Sequence, residues 1–261
     1  MPRRIPAKLT SQYNRAIKRQ GGMAEKTTVQ ALREFLEENP GASVADVREF
    51  AIDMMKAAGD LYGNACSQAA IELQQEIALE FGLNMPELNN WWYEPDEQSI
   101  IRTAHYQAQK LVDGNVEGFI KEIGEASRYY AERGANSTMA QTARKQASSR
   151  RGKNRRSGAE TRGVAFARVP MGVVTCDFCL MLASRGFVYL SNESAGEFDR
   201  YHRNCDCRII PGAIDTQVEG YDPDLYYDMW KNPDEYPELQ EKRNARRREL
   251  YAEKKQAEQA S

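Results

Sequence analysis

Four of the five cysteines and one of the two histidines in this 261-residue chain fall between Cys176 and Cys207. The stretch reads C-D-F-C at Cys176 and Cys179, then H-R-N-C-D-C at His202, Cys205 and Cys207, with 22 residues between the two groups. Thiolate and neutral imidazole are the donors zinc prefers, and two short-spaced groups brought together make a tetrahedral shell. A bound metal, zinc first, is the expectation. Two other chemistries use the same residue types. A disulfide pair needs an oxidising compartment, which nothing else in the chain suggests. A redox Cys-x-x-Cys has no need of the His-x-x-Cys-x-Cys partner.

Five candidate ligands compete for four places. Cys176, Cys179, His202 and Cys205 close a shell, and Cys207 can replace either of the last two. Residues two apart in a strand share a face, so Cys205 and Cys207 can both turn inward. Either choice fills the metal with protein donors, which is the structural kind of site. A zinc deaminase would carry H-x-E and P-C-x-x-C. Here Val174 and Thr175 precede Cys176, and Arg203 and Asn204 follow His202, so that pattern is absent.

The residues around the cysteines carry a family resemblance. F-A-R-V-P from Phe166, T-C-D-F-C from Thr175, L-A-S-R-G-F-V-Y from Leu182 and Y-H-R-N-C-D-C-R-I-I-P from Tyr201 resemble the C-terminal domain of phage minor head proteins of the Mu F type. More narrowly, they resemble the minor capsid proteins of phages that infect Gram-positive hosts. Arg203 stands where that family often has proline after the histidine. The resemblance covers roughly residues 165–211. It implies a protein inside the phage head or at its neck, in the virion and before that in the host cytoplasm during assembly, associated with portal and capsid proteins and with packaged DNA.

The elements that must position the cysteines follow from periodicity. Apolar residues at Val44, Val47, Ala51, Met54, Ala58 and Leu61 are spaced 3, 4, 3, 4, 3, an amphipathic helix with a bundle-type seam. Ser43 and Asp46 form its N-terminal signal. The stripe resumes at Cys66, Ala70, Leu73 and Ile77, which makes Cys66 a core residue. Gly59 and Gly63 between the halves either kink the helix or allow close packing. A preceding helix is expected from Thr27 or Thr28 to Asn39-Pro40, after a short basic arm or helix that breaks at Gly21-Gly22. Further helices are expected from Ser99 and through Val116, Phe119, Ile120, Ile123 and Tyr130, with His105 half-buried beside the first. Trp91, Trp92 and Tyr93 are adjacent and cannot all face one core.

The expected fold is α+β and mainly α. A helical bundle over residues 1–139 has a basic N-terminal arm, and 140–163 form a flexible basic linker or a helix end that frays. A small zinc-stapled module covers 164–212, with strands at Val164–Val169, Phe187–Leu190 and Cys207–Ile210. An acidic aromatic loop and a highly charged helix, either solvated or binding through Arg246-Arg247-Arg248, cover 213–261. Strands this short bury little apolar area, so the metal would supply folding free energy directly.

Net charge is -2, but it is segregated: +6 over 1–20, -11 over 21–139, +8 over 140–168, -9 over 169–241 and +4 over 242–261. Basic arms on an acidic body suit phosphate or an acidic partner. In the linker, Arg144, Lys145, Arg150, Arg151, Lys153, Arg155 and Arg156 are candidate contacts to double-stranded DNA. Interleaved aromatics for base stacking are missing, so the expected contact reads no sequence. No apolar run reaches the length of a membrane span, and the basic start lacks the apolar core of a signal peptide. No Ser-His-Asp set, G-x-S-x-G or phosphate loop stands out, and an enzyme is not expected. The alternative to a structural phage head protein is a zinc-module nucleic-acid-binding protein acting in regulation or processing.

Overall fold

Ser43 and Asp46 do what their spacing predicts. The Ser43 backbone N–H and hydroxyl both donate to the Asp46 carboxylate, at 2.9 and 2.7 Å, and the Asp46 N–H donates back to Ser43 Oγ at 3.3 Å. This reciprocal cap fixes where the second long helix starts. In the computed structural model, which describes residues 4–88, 91–152 (147–152 as backbone only), 164–172, 175–189, 205, 207–213, 215–245, 248 and 252, the chain is mainly helical with a small strand region.

The elements run in order as β1 (Arg4–Ile5), α1 (Ala7–Glu38), α2 (Val44–Phe81), α3 (Glu97–Gln107), α4 (Gln109–Val112), α5 (Val116–Gly152), β2 (Ala165–Pro170), α6 (Asp177–Ala183), β3 (Cys207–Gly212), β4 (Gln217–Val218) and α7 (Pro223–Lys231). The chain divides into two compact units. One comprises residues 1–15, 68–91 and 136–245, and the other 16–67, 92–135 and 246–261.

The second, helical unit follows the periodicity in part: Val47, Ala51 and Ala58 of the expected stripe are buried, Met54 is half-buried beside the buried Met55, and Val44 and Leu61 are exposed. Leu32, Val47, Ala51, Met55, Ile100, Phe119, Ile123 and Tyr130 are among the buried residues of one core. Phe35 and Phe50 stack beside it with ring centroids 4.3 Å apart. Gly63 gives close approach and not a kink. A Cβ on Gly134 of α5 would lie 2.0 Å from the Gly63 carbonyl oxygen, and one on Gly63 would lie 2.5 Å from the Tyr93 ring. Tyr93 is buried and its hydroxyl donates to the Tyr130 carbonyl at 2.8 Å, whereas Trp92 is 60% exposed. Cys66 is fully buried in the core.

Several boundaries differ from expectation. Gly21-Gly22 does not break α1. Gly21 lies where a Cβ would come within 2.9 Å of the Arg128 and Glu132 side chains, so the glycine serves packing. Asp96, not Ser99, caps α3, accepting from the Ser99 N–H at 3.1 Å. His105 is exposed rather than half-buried.

The largest correction concerns the expected linker. Residues 140–152 continue α5, with Met139, Ala140, Thr142, Ala143 and Gln146 buried. A stripe of small and polar residues carries the helical period here, and hydropathy does not register it.

In the other unit, β2 and β3 pair antiparallel from Ala165↔Gly212 to Pro170↔Cys207. The expected strand at Phe187–Leu190 is reduced to one bridge between Tyr189 and Phe166, and Leu190 lies outside the described residues. The start of the chain is not a free arm: β1 pairs parallel with β4, and Ile5 is fully buried. The aromatic loop after Pro211 holds α7, whose cap Asp222 accepts from the N–H groups of Asp224 and Leu225 at 3.0 and 3.4 Å. Pro223 at its first turn is preset for a helix. Residues 237–245 are helical and carry a buried arginine, Arg243, so this stretch is not wholly solvated.

Candidate metal centre

Cys176 is the N-cap of α6 and sits in extended backbone. Its Sγ accepts a hydrogen bond from the Cys179 N–H at 3.4 Å. This contact folds the first Cys-x-x-Cys into a knuckle and turns Cys179 inward, where it is 1% exposed. Cys207 opens β3 opposite Pro170 and is fully buried. Cys205, two residues earlier, faces the same point, as residues two apart in an extended chain should. The sulfurs of Cys179, Cys205 and Cys207 lie within 4.8 Å of one another, and Cys179 Sγ is 3.4 Å from Cys205 Sγ. Hydrogen bonding to the side chains of Cys176, Cys205 and Cys207, reinforced by burial, pushes the Cys179 thiol well up from its ordinary value.

Both ends of α6 are anchored. At the C-terminal end, the buried Tyr189 hydroxyl donates to the Leu182 carbonyl at 2.9 Å, and the Tyr221 hydroxyl donates to the Ala183 carbonyl. Burial raises the pKa of both phenols, so they remain donors. At the N-terminal end, Arg243 donates from Nε and Nη2 to the Thr175 carbonyl at 2.8 and 2.7 Å and pairs through Nη1 with Asp177 at 2.5 Å. Nothing in the sequence marks Arg243, which sits in a run of charges. Tyr221 is equally hidden among other tyrosines.

The donor set fits a metal. Bonds of about 2.3 Å to a tetrahedral ion place sulfurs about 3.8 Å apart, inside the 4.8 Å that bounds the three sulfurs here. Four thiolates packed together would repel one another, and a divalent cation removes that repulsion by binding them. All five cysteines are free of disulfides. Of the five predicted ligands, Cys179, Cys205 and Cys207 come together with Cys176 beside Cys179. His202 lies outside the described residues, as does Asp206.

The predicted nucleic-acid contacts are not alike. Arg144 is exposed on α5, and Lys145 donates to the Glu87 carbonyl at 3.0 Å. Arg150 and Arg151 lie on the helix, but their side chains are outside the described residues, and Lys153, Arg155 and Arg156 are wholly outside them. No described helix is long and apolar enough to cross a membrane.

The family described as VG15 protein matches residues 7–233. The chain belongs to the VG15 protein family. That family is phage-associated, and the match takes in both the helical stretches and the thiol cluster. No curated protein and no solved structure matches the chain.

Proposed function

We propose that this VG15 protein is a structural minor capsid protein of the Mu F type, acting in head morphogenesis. It binds portal and capsid proteins and touches packaged double-stranded DNA without reading its sequence. It is located in the virion, at the head interior or neck, and does no catalysis. The observation that carries this reading is the convergence of the Cys179, Cys205 and Cys207 sulfurs in a chain of a phage family. A shell filled by protein sulfurs leaves no open position for a substrate or an activated water, which favours a staple over chemistry. Zinc is the ion assigned, because sulfur-rich tetrahedral donor sets suit it. The exposed Arg144 and its basic neighbours supply the charge for phosphate contact.

Two measurements test the reading. Density-gradient fractionation of phage particles, probed with an antibody to this chain, should find it in filled heads. Elemental mass spectrometry of the purified chain should find one zinc per molecule. Absence from particles, together with a footprint on one defined DNA sequence, would transfer the function to regulation.

A further inference from the structure

Arg243 is a cation with 7% exposure, in a stretch whose neighbours Lys242 and Asn244 are exposed. Burying a guanidinium is costly unless its donors are satisfied and its charge is answered. Its donors go to two residues, and those residues bracket Cys176. Thr175, immediately before it, is 5% exposed and accepts two bonds through its carbonyl. Asp177, immediately after it, takes the third contact with a side chain 68% exposed. A solvated carboxylate of this kind answers little of a buried charge. A divalent ion held by four thiolates carries a net charge of about -2, and the guanidinium stands at the peptide that presents one of those thiolates.

We propose that Arg243 is a positioning residue of the metal centre. It holds Cys176 in the extended backbone from which its sulfur completes an all-cysteine shell with Cys179, Cys205 and Cys207, and it couples the helical stretch 237–245 to metal occupancy. The proposal rests on the metal reading above. Two consequences follow from linkage. Removing Arg243 weakens metal binding, and removing metal loosens the docking of 237–245 by the same factor. Partners one step removed from a metal typically change its affinity by about 10- to 100-fold when lost.

The test uses the full chain, titrated with zinc against a chromophoric chelator and, in parallel, with cobalt(II), whose thiolate charge-transfer absorption reports the number of bound sulfurs. Arg243→Ala should bind zinc about 10- to 100-fold more weakly and show cobalt absorption reduced by about one thiolate in four. Arg243→Lys keeps the charge but replaces the forked donors with one shorter ammonium that cannot reach both acceptors, so it should fall between wild type and Arg243→Ala. It also serves as the readout if the alanine variant does not fold. Asp177→Asn should stay within about threefold of wild type, because its partner side is solvated. Chelation should open trypsin cleavage at Lys242 and Arg243 in the wild type. Wild-type affinity and spectrum in both Arg243 variants would overturn this inference and leave the metal reading intact. A wild-type chain that binds no zinc would overturn both.

Discussion

In the helical unit, long helices share one apolar core, and two glycines let backbones meet where side chains would obstruct them. Around the cysteines the means are different. Two six-residue strands and a seven-residue helix are held by sulfur, by tyrosine hydroxyls on the last carbonyls of α6 and by an arginine on the carbonyl before it. The first arrangement draws stability from buried area, which grows with element length. The second draws it from a few directed contacts, each expensive to lose. The difference predicts which perturbation each region feels.

The largest effect should come from the sulfurs. Cys179→Ser, or strong chelation of the wild type, should remove hydrogen-exchange protection across the described parts of 164–212, while 16–67 and 92–135 keep theirs. In small stapled modules the metal supplies apparent folding free energies of roughly 10 kcal/mol or more. Equal loss of protection in both units would erase the distinction.

Next is Gly134→Ala. The added carbon would overlap the Gly63 carbonyl oxygen, at 2.0 Å, and backbone cannot swing aside as a side chain can. Thermal unfolding should show a loss of about 3 kcal/mol, with zinc content unchanged. Gly21→Ala meets side-chain atoms, the Cγ atoms of Arg128 and Glu132 and a Glu132 carboxylate oxygen, which can shift where backbone cannot, and should cost less. A reversed ranking would mean that the seam is looser than its geometry.

Tyr221→Phe leaves the Ala183 carbonyl without that donor, and should cost about 1–2 kcal/mol and lower the temperature at which zinc is released. No change in release would separate the C-terminal anchor of α6 from the metal centre.

The smallest effect belongs to the helix cap. Hydrogen bonds from Ser43, side chain first and backbone second, hold the Asp46 carboxyl below the usual carboxylate range. A depressed folded pKa gives stability that is present above the unfolded value, near about 3.9, and is lost as pH falls through the folded one. Ser43→Ala should therefore lower helical-unit stability slightly at neutral pH, where the contribution is fully present, and flatten the acid limb below about pH 4, so that the variant converges on the wild type in acid. An unchanged acid limb would show that the cap carries no pH dependence.

The features legible in the sequence are those whose signal is local. The Ser43/Asp46 cap, the α2 stripe, the core position of Cys66 and the two cysteine groups each announce themselves within a few residues. The features that escaped depend on a distant partner. Gly21-Gly22 reads as a break until Arg128 and Glu132 are brought beside it. Residues 140–152 read as linker because Ala140, Thr142 and Ala143 carry the helical face without hydropathy. Arg243 reads as one charge in a run until Thr175 and Asp177 meet it. Local pattern thus identified the cysteines that come together, while the groups that hold them come from elsewhere in the chain.

The pairing of β1 with β4 bears on the order in which the molecule can be made. Arg4 reaches Gln217 across a sequence separation of 213 residues, and Ile5 lies in register with Val218. At about 5–20 residues per second on the ribosome, Arg4 and Ile5 wait on the order of ten to forty seconds for the strand that receives them. Residues 16–135 emerge entirely within that wait, so the helical core can close while the thiol-bearing unit still lacks its strand partner. Growth of the chain therefore permits an order in which the 16–135 core closes before β1 finds β4.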